Sequence, residues 1–258
     1  ECFNDWVKEI KEYNYLHNHT RMWFASIWIF TLGLPWQKGA EFFMKYLLDG
    51  DAASNTLSWR WVGGLQTKGK HYLAQSWNIS KFLNKKYQNI KLKENALPLI
   101  DNREYKIFPI DIQKNNNKNE YLIIFENDLS VENLKIKDYK KIYFILLDNR
   151  HRSVALDSKV LNYKKKIMKE QLNKKDNNFE LINKNKIEEI LESLKNFDIV
   201  YPSIGENMSF LKKMVKEKKL NLNFITREED IFCWSFSNKG YFNFKSNIPK
   251  ILAKFKLN

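Results

Sequence analysis

The polar run Gln113-Lys114-Asn115-Asn116-Asn117-Lys118-Asn119 separates two stretches whose apolar residues recur at different periods, so one kind of secondary structure cannot account for both. Before the run, up to about Asn84, aromatic and aliphatic residues return every three or four positions, the spacing of amphipathic helices. A polar, Pro-containing stretch follows, from Lys85 through Pro98 to Pro109. After the run, residues 121–125 (Tyr-Leu-Ile-Ile-Phe) and 141–147 (Lys-Ile-Tyr-Phe-Ile-Leu-Leu) are short apolar segments, as parallel strands buried on both faces produce. A helix is expected over about Val154 to Lys174, a third strand at Phe179 to Ile182 and a helix from Lys186 to Lys195. A fourth strand at Asp198 to Tyr201, a helix from Asn207 to Lys218 and a fifth strand at Asn221 to Ile225 complete the alternation. The expected fold class is α plus α/β. An all-helical portion occupies residues 1–112, a linker 113–119, and an open, mainly parallel α/β domain of Rossmann-like type, with right-handed crossovers, occupies 120–258.

Within the helical portion one block concentrates unusual chemistry. Leu47-Leu48-Asp49-Gly50-Asp51-Ala52-Ala53-Ser54-Asn55-Thr56-Leu57-Ser58-Trp59-Arg60-Trp61 reads as helix, turn and helix, with two acids, an Asn and two Trp. Asp49 and Asp51 follow the apolar run ending at Leu48, at a helix C-terminus where the macrodipole disfavours negative charge. They need partners there, and Arg21 and backbone N–H groups are the obvious candidates. Alternatively the turn is an acidic loop in which Asp51 or Ser54 caps the next helix. Seven of the eight Trp lie before residue 78, which is uneven for core packing alone. Trp36, after Pro35 at an expected helix start, and the pair Trp59 and Trp61 suit packing, stacking on bases or electron relay, and the residues by themselves leave these open.

This block, with His17-Asn18-His19-Thr20-Arg21-Met22 upstream of it, resembles the flavin-binding half of the DNA photolyase/cryptochrome family, from Phe3 to about Ile79. The resemblance implies FAD as cofactor, with Arg21, Asp49, Asp51 and Asn55 as its ligands: Asp49 paired with Arg21 beside the ring, Asp51 on its polar edge and Asn55 facing its reactive nitrogen. It implies Trp59 and Trp36 as proximal and middle members of an electron chain, and Asn18, Met22 and Trp61 on the side of the pocket that takes a flipped pyrimidine dimer. The implied activity is that of a deoxyribodipyrimidine photo-lyase, a carbon–carbon lyase acting on DNA that contains pyrimidine dimers. A blue-light photoreceptor of cryptochrome type that keeps FAD without repair is the alternative. A binder of nucleic acid that uses basic charge and stacking without flavin is a third reading. His19 stands where many members carry Arg. The resemblance also places Glu1 inside the flavin domain, so half a flavin site is expected in the chain.

The second portion has no GxGxxG and no Walker loop, and eight Gly in the whole chain make a phosphate-cradling loop a poor expectation. Residues 203–207 (Ser-Ile-Gly-Glu-Asn), after the fourth strand, read as an ordinary strand-to-helix turn. Residues 125–130 (Phe-Glu-Asn-Asp-Leu-Ser) are similar to the first loop of the photolyase antenna domain, which in that family precedes the flavin domain. The similarity implies a rearranged order, and a second, antenna chromophore whose identity the residues do not give.

Composition narrows the setting. A net charge of +14 favours a polyanionic partner. The excess is spread, however: residues 1–92 hold 12 Lys/Arg against 7 Asp/Glu, and the remainder 32 against 23. No run of about 18 apolar residues occurs, so no membrane span is expected, and nothing resembles a signal peptide. Two distant cysteines, Cys2 and Cys233, and no metal-ligand spacing give the expectation of a cytoplasmic protein without a structural metal. No obligate protein partner is evident.

Overall fold

The computed structural model describes residues 1–106, 119–131, 134, 138–173 and 178–256. Apart from Asn119, the expected linker lies outside the described residues, as do Phe108, Pro109 and Lys174. The chain forms two compact units. The first comprises residues 1–103, 147–167 and 204–210, and the second 104–146, 168–203 and 211–258.

The first unit is helical. In α1 (Cys2–Tyr13), Cys2, Trp6 and Ile10 recur every fourth residue and are buried on one face. Its end is closed by Asn14 in the left-handed conformation, whose N–H returns to the Ile10 carbonyl at 2.8 Å. Next, α2 (Asn18–Ser26) runs directly into a π-helical turn, Ile27–Thr31, and Gly33 at φ 66° ends the stretch. Pro35 then opens α3 (Trp36–Tyr46), where its fixed φ suits a helix start. A second π turn, Ala53–Leu57, leads into α4 (Ser58–Val62), and α5 spans Ser76–Phe82. The core that joins these elements is aromatic. Phe24 stacks on Phe42 at 5.8 Å and on Trp28 at 6.0 Å, and Phe43 meets Trp59 edge-on at 5.0 Å.

The second unit is built on β1 (Tyr121–Phe125), β2 (Lys141–Ile145), β3 (Phe179–Leu181), β4 (Asn196–Val200) and β5 (Asn221–Ile225). They form one sheet in the order β3-β2-β1-β4-β5, with every pair parallel. The chain builds outward from β1 through β2 to β3, then returns to the other side of β1. Between the strands come α6 (Ser158–Asn173), α7 (Ile187–Leu194) and α8 (Glu206–Lys218); α6 and α8 begin within the first unit. The expected α plus α/β class is the one observed, and β5 has the expected bounds. Two helices beyond it, α9 (Glu228–Trp234) and α10 (Tyr241–Phe255), complete the described chain.

One buried polar network ties this sheet together. Asp198, in the middle of β4 and 1% exposed, accepts from the Tyr139 hydroxyl at 2.8 Å, Asn119 Nδ2 at 2.8 Å and Asn223 Nδ2 at 3.1 Å. Burial and the Asp198 carboxylate hold the Tyr139 phenol far above its ordinary pKa. At the end of β1, Arg227 clamps Asp128 in a two-pronged pair, 2.7 and 3.0 Å. Among the described residues, no helix is long and apolar enough to cross a membrane.

Candidate functional site

The two-acid turn between α3 and α4 is where sequence and geometry meet. Leu47 leaves α3 in extended conformation, and Gly50, buried at φ 48°, reverses the chain in a conformation that a side chain would strain. This puts Asp49 and Asp51 on either side of the turn with different partners. Asp49 Oδ2 pairs with Arg21 Nη1 of α2 at 3.0 Å, and its Oδ1 accepts from Asn55 Nδ2 at 2.6 Å. Arg21 is anchored in turn by its Nε, which donates to the Leu16 carbonyl at 3.0 Å.

The result is a line of guanidinium, carboxylate and carboxamide that runs from half-exposed to buried. The Arg21 and Asp49 side chains are 24% and 38% exposed, while Asn55 is 1% exposed. Asn55 sits in the second π turn, which displaces its side chain from ordinary helical register. Asp51 stands apart from this line. Its Oδ2 accepts from the Ser54 N–H at 2.6 Å and its carbonyl accepts from the Asn55 N–H at 3.0 Å, so it caps the turn that follows.

The tryptophans divide by environment. Trp59 is 1% exposed and lies against Gly39 of α3, where a Cβ would fall 2.1 Å from its ring. Its indole Nε1 is buried without a hydrogen-bond partner. Trp36 begins α3 one turn before Gly39, partly buried, with the Arg60 guanidinium 5.7 Å from its ring centre. Against Trp59 stands a residue that the sequence reading did not single out. The Trp28 ring meets Trp59 edge-on at 6.0 Å, and its Nε1 donates to the carbonyl of Pro35, next to Trp36, at 2.9 Å. Only the skew of Trp toward this segment could have pointed to it.

Asn18 and Met22 share a face of α2, the first exposed and the second half-buried. Trp61, on α4 and 39% exposed, stacks on Tyr72 at 5.8 Å. His19, where an Arg was the family expectation, lies flat on Trp23 at 5.3 Å and against Phe82 at 5.2 Å.

A flavin ring offers alternating hydrogen-bond donors and acceptors along one edge and a flat apolar body. The donor set here fits such a group: Arg21, Asp49 and Asn55 reach from solvent to the core, and the buried indole N–H of Trp59 lacks a partner close by.

Comparison with known proteins agrees. Residues 6–121 match the family described as the FAD binding domain of DNA photolyase. Curated relatives include the deoxyribodipyrimidine photo-lyase of Buchnera aphidicola subsp. Baizongia pistaciae, 36% identical over 66 residues, which is 26% of this chain and 14% of the relative. That of Streptomyces griseus is 39% identical over 61 residues, 24% of this chain and 13% of the relative. That of Thermus thermophilus is 38% identical over 66 residues, 26% of this chain and 16% of the relative. No solved structure matches the chain. Residues 6–121, a little under half of the chain, are thus similar to a flavin-binding class of domain. The family they resemble is that of the DNA photolyases and cryptochromes. The matched stretches span only about a seventh of these relatives' length.

Proposed function

We propose that the protein is a light-driven DNA repair flavoprotein that splits cyclobutane pyrimidine dimers. The observation that carries this reading is the line Arg21–Asp49–Asn55, inside the segment that matches the FAD binding domain of DNA photolyase. Reduced FAD, when bound and excited by light, supplies an electron that opens the dimer and then takes it back.

The chain's own residues bind and orient. Asp49 fixes Asn55 through its amino group, so that the carboxamide would be held in place for the cofactor. Arg21 pairs with Asp49 and offsets its charge. Asp51 presents its remaining acceptor capacity to the polar edge of the flavin. Trp59 and Trp36, with Trp28 against Trp59, would be the residues that relay electrons toward the site. Asn18, Met22 and Trp61 receive the extruded lesion, whose damaged bases cost less to unstack than an intact pair. The charge of +14 draws the DNA in. An antenna chromophore on the parallel sheet is an addition to this reading.

A photoreceptor of cryptochrome type is the second reading. The stacked position of His19 favours it, because a side chain spent on Trp23 and Phe82 makes a poor phosphate contact.

The test is a visible spectrum of the dark-purified protein, before and after blue light, with dimer-containing DNA present. Flavin absorption with light-dependent loss of dimers is the expected result. Flavin without repair selects the photoreceptor, and a colourless protein overturns the flavin assignment.

A further inference from the structure

The acid turn is covered by a segment from outside the family-matched residues. Within the first unit, α6 passes Val160 and Lys164 directly over Gly50. A Cβ at Gly50 would lie 2.6 Å from Lys164 Cε, 3.2 Å from its Nζ and 3.2 Å from Val160 Cγ1. The lysine stem therefore occupies the space that a side chain at Gly50 would take, and its ammonium lies close to that glycine.

The segment is fastened on several sides. Met44, Leu156 and Val160 form a small buried cluster, with Ala52 of the acid block packed against it. The Asp157 N–H donates to the Lys45 carbonyl at 2.8 Å, and Lys159 Nζ donates to the Glu12 carbonyl at 2.7 Å. On α1's closing residue, Asn14, Nδ2 donates to the Tyr46 carbonyl at 2.7 Å while the Asn14 carbonyl accepts the Leu48 N–H at 3.0 Å. So the ends of α1 and α3 are pinned to each other, and the start of α6 is pinned to both.

The electrostatics give this contact a purpose. Asp49 and Asp51 lie just beyond the C-terminus of α3, where its dipole adds to their mutual repulsion, and a cation there relieves both. Arg21 serves Asp49 from the α2 side. Lys164 supplies positive charge from the opposite direction in sequence, directly on the glycine that joins the two acids.

We propose that Lys164 is a positioning residue of the flavin site: it holds the Asp49–Gly50–Asp51 turn in its binding geometry, so that a later part of the chain supports the site of the family-matched segment. This rests on the flavin reading above. Lysine suits the role because its long apolar stem packs along the backbone while its head stays charged.

The test is titration of the full-length protein with FAD, followed by flavin fluorescence, for the wild type, Lys164→Met and Lys164→Arg, with a urea unfolding midpoint for each. Lys164→Met keeps the stem and removes the charge. The expectation is about fivefold weaker FAD binding in that variant, with an unchanged midpoint and recovery in Lys164→Arg. Wild-type affinity in Lys164→Met overturns the proposal and leaves the flavin reading standing. So does a loss that merely follows a fall in the midpoint, or one that arginine does not restore. A wild-type protein that takes up no FAD overturns the flavin reading and this proposal with it.

Discussion

Two aspartates, one in each unit, show how the same side chain serves a fold and a site. Asp198 is sealed within the parallel sheet and receives three side-chain hydrogen bonds, from Tyr139, Asn119 and Asn223. Asp49 is more than a third exposed, and its partners run from a half-exposed arginine to a buried carboxamide. The first network is closed: each of these donors is spent inside the sheet. The second is open at one end, so a ligand can meet it without first breaking a core. A carboxylate wholly enclosed by donors organises structure, whereas one shared between solvent and the interior is placed to bind.

The difference is broken most forcefully at the closed end. Asp198→Ala removes the acceptor that Tyr139, Asn119 and Asn223 share, and a loss of about 3–5 kcal/mol is expected in urea unfolding. Tyr139→Phe, which removes a single donor and leaves the carboxylate its amides, should cost only about 1 kcal/mol. Equal losses in the two variants would mean that the carboxylate is not the hub of the network.

At the open end, Asp49→Ala should be milder. The exposed ion pair with Arg21 contributes less than about 1 kcal/mol, because solvent screens both charges. The buried amino group of Asn55 loses its acceptor, which brings the expected loss to about 1–3 kcal/mol. The same variant should abolish FAD uptake measured by flavin fluorescence. A destabilisation as large as that of Asp198→Ala would show the acid turn to be core rather than site.

How far these two networks could be foreseen differs for a physical reason. The central strands β1 and β2 are largely buried, so they stand in the sequence as apolar runs, and β5, a half-buried edge strand with two Asn, was legible to the residue as well. The need of Asp49 for Arg21 was equally legible, since a carboxylate at a helix C-terminus demands a cation. The π turns at Ile27–Thr31 and Ala53–Leu57 were not, because one wider turn leaves the apolar pattern almost unchanged. α6 starts at Ser158 rather than near Val154 because the Val154 N–H is taken by Glu206 and that of Leu156 by the Asn149 side chain, contacts that no local pattern encodes. The tail helices were hidden by Gly240 at φ 82° and by Pro249 inside α10, both of which read as breaks. Lys164 was invisible for a simpler reason: nothing near it in sequence marks it out among neighbouring lysines, and only the fold brings it to Gly50.

The smallest expected effect sharpens the comparison most. Asp51 is exposed, and its side chain caps the turn through the Ser54 N–H. Asp51→Ala removes that cap and should cost about 1 kcal/mol, whereas Asp51→Asn, an equally good cap, should leave stability within about 0.3 kcal/mol of wild type. The two substitutions separate the roles of one residue. If Asp51 acts on the protein alone, FAD affinity should be preserved in Asp51→Asn. If it also accepts a hydrogen bond from the flavin edge, as proposed, replacing one carboxylate oxygen by an amino group weakens binding even though the fold is untouched. A stable Asp51→Asn protein with reduced FAD affinity, read by fluorescence titration, would place this second acid with Asp49 on the open side of the comparison. Unchanged affinity would confine it to capping.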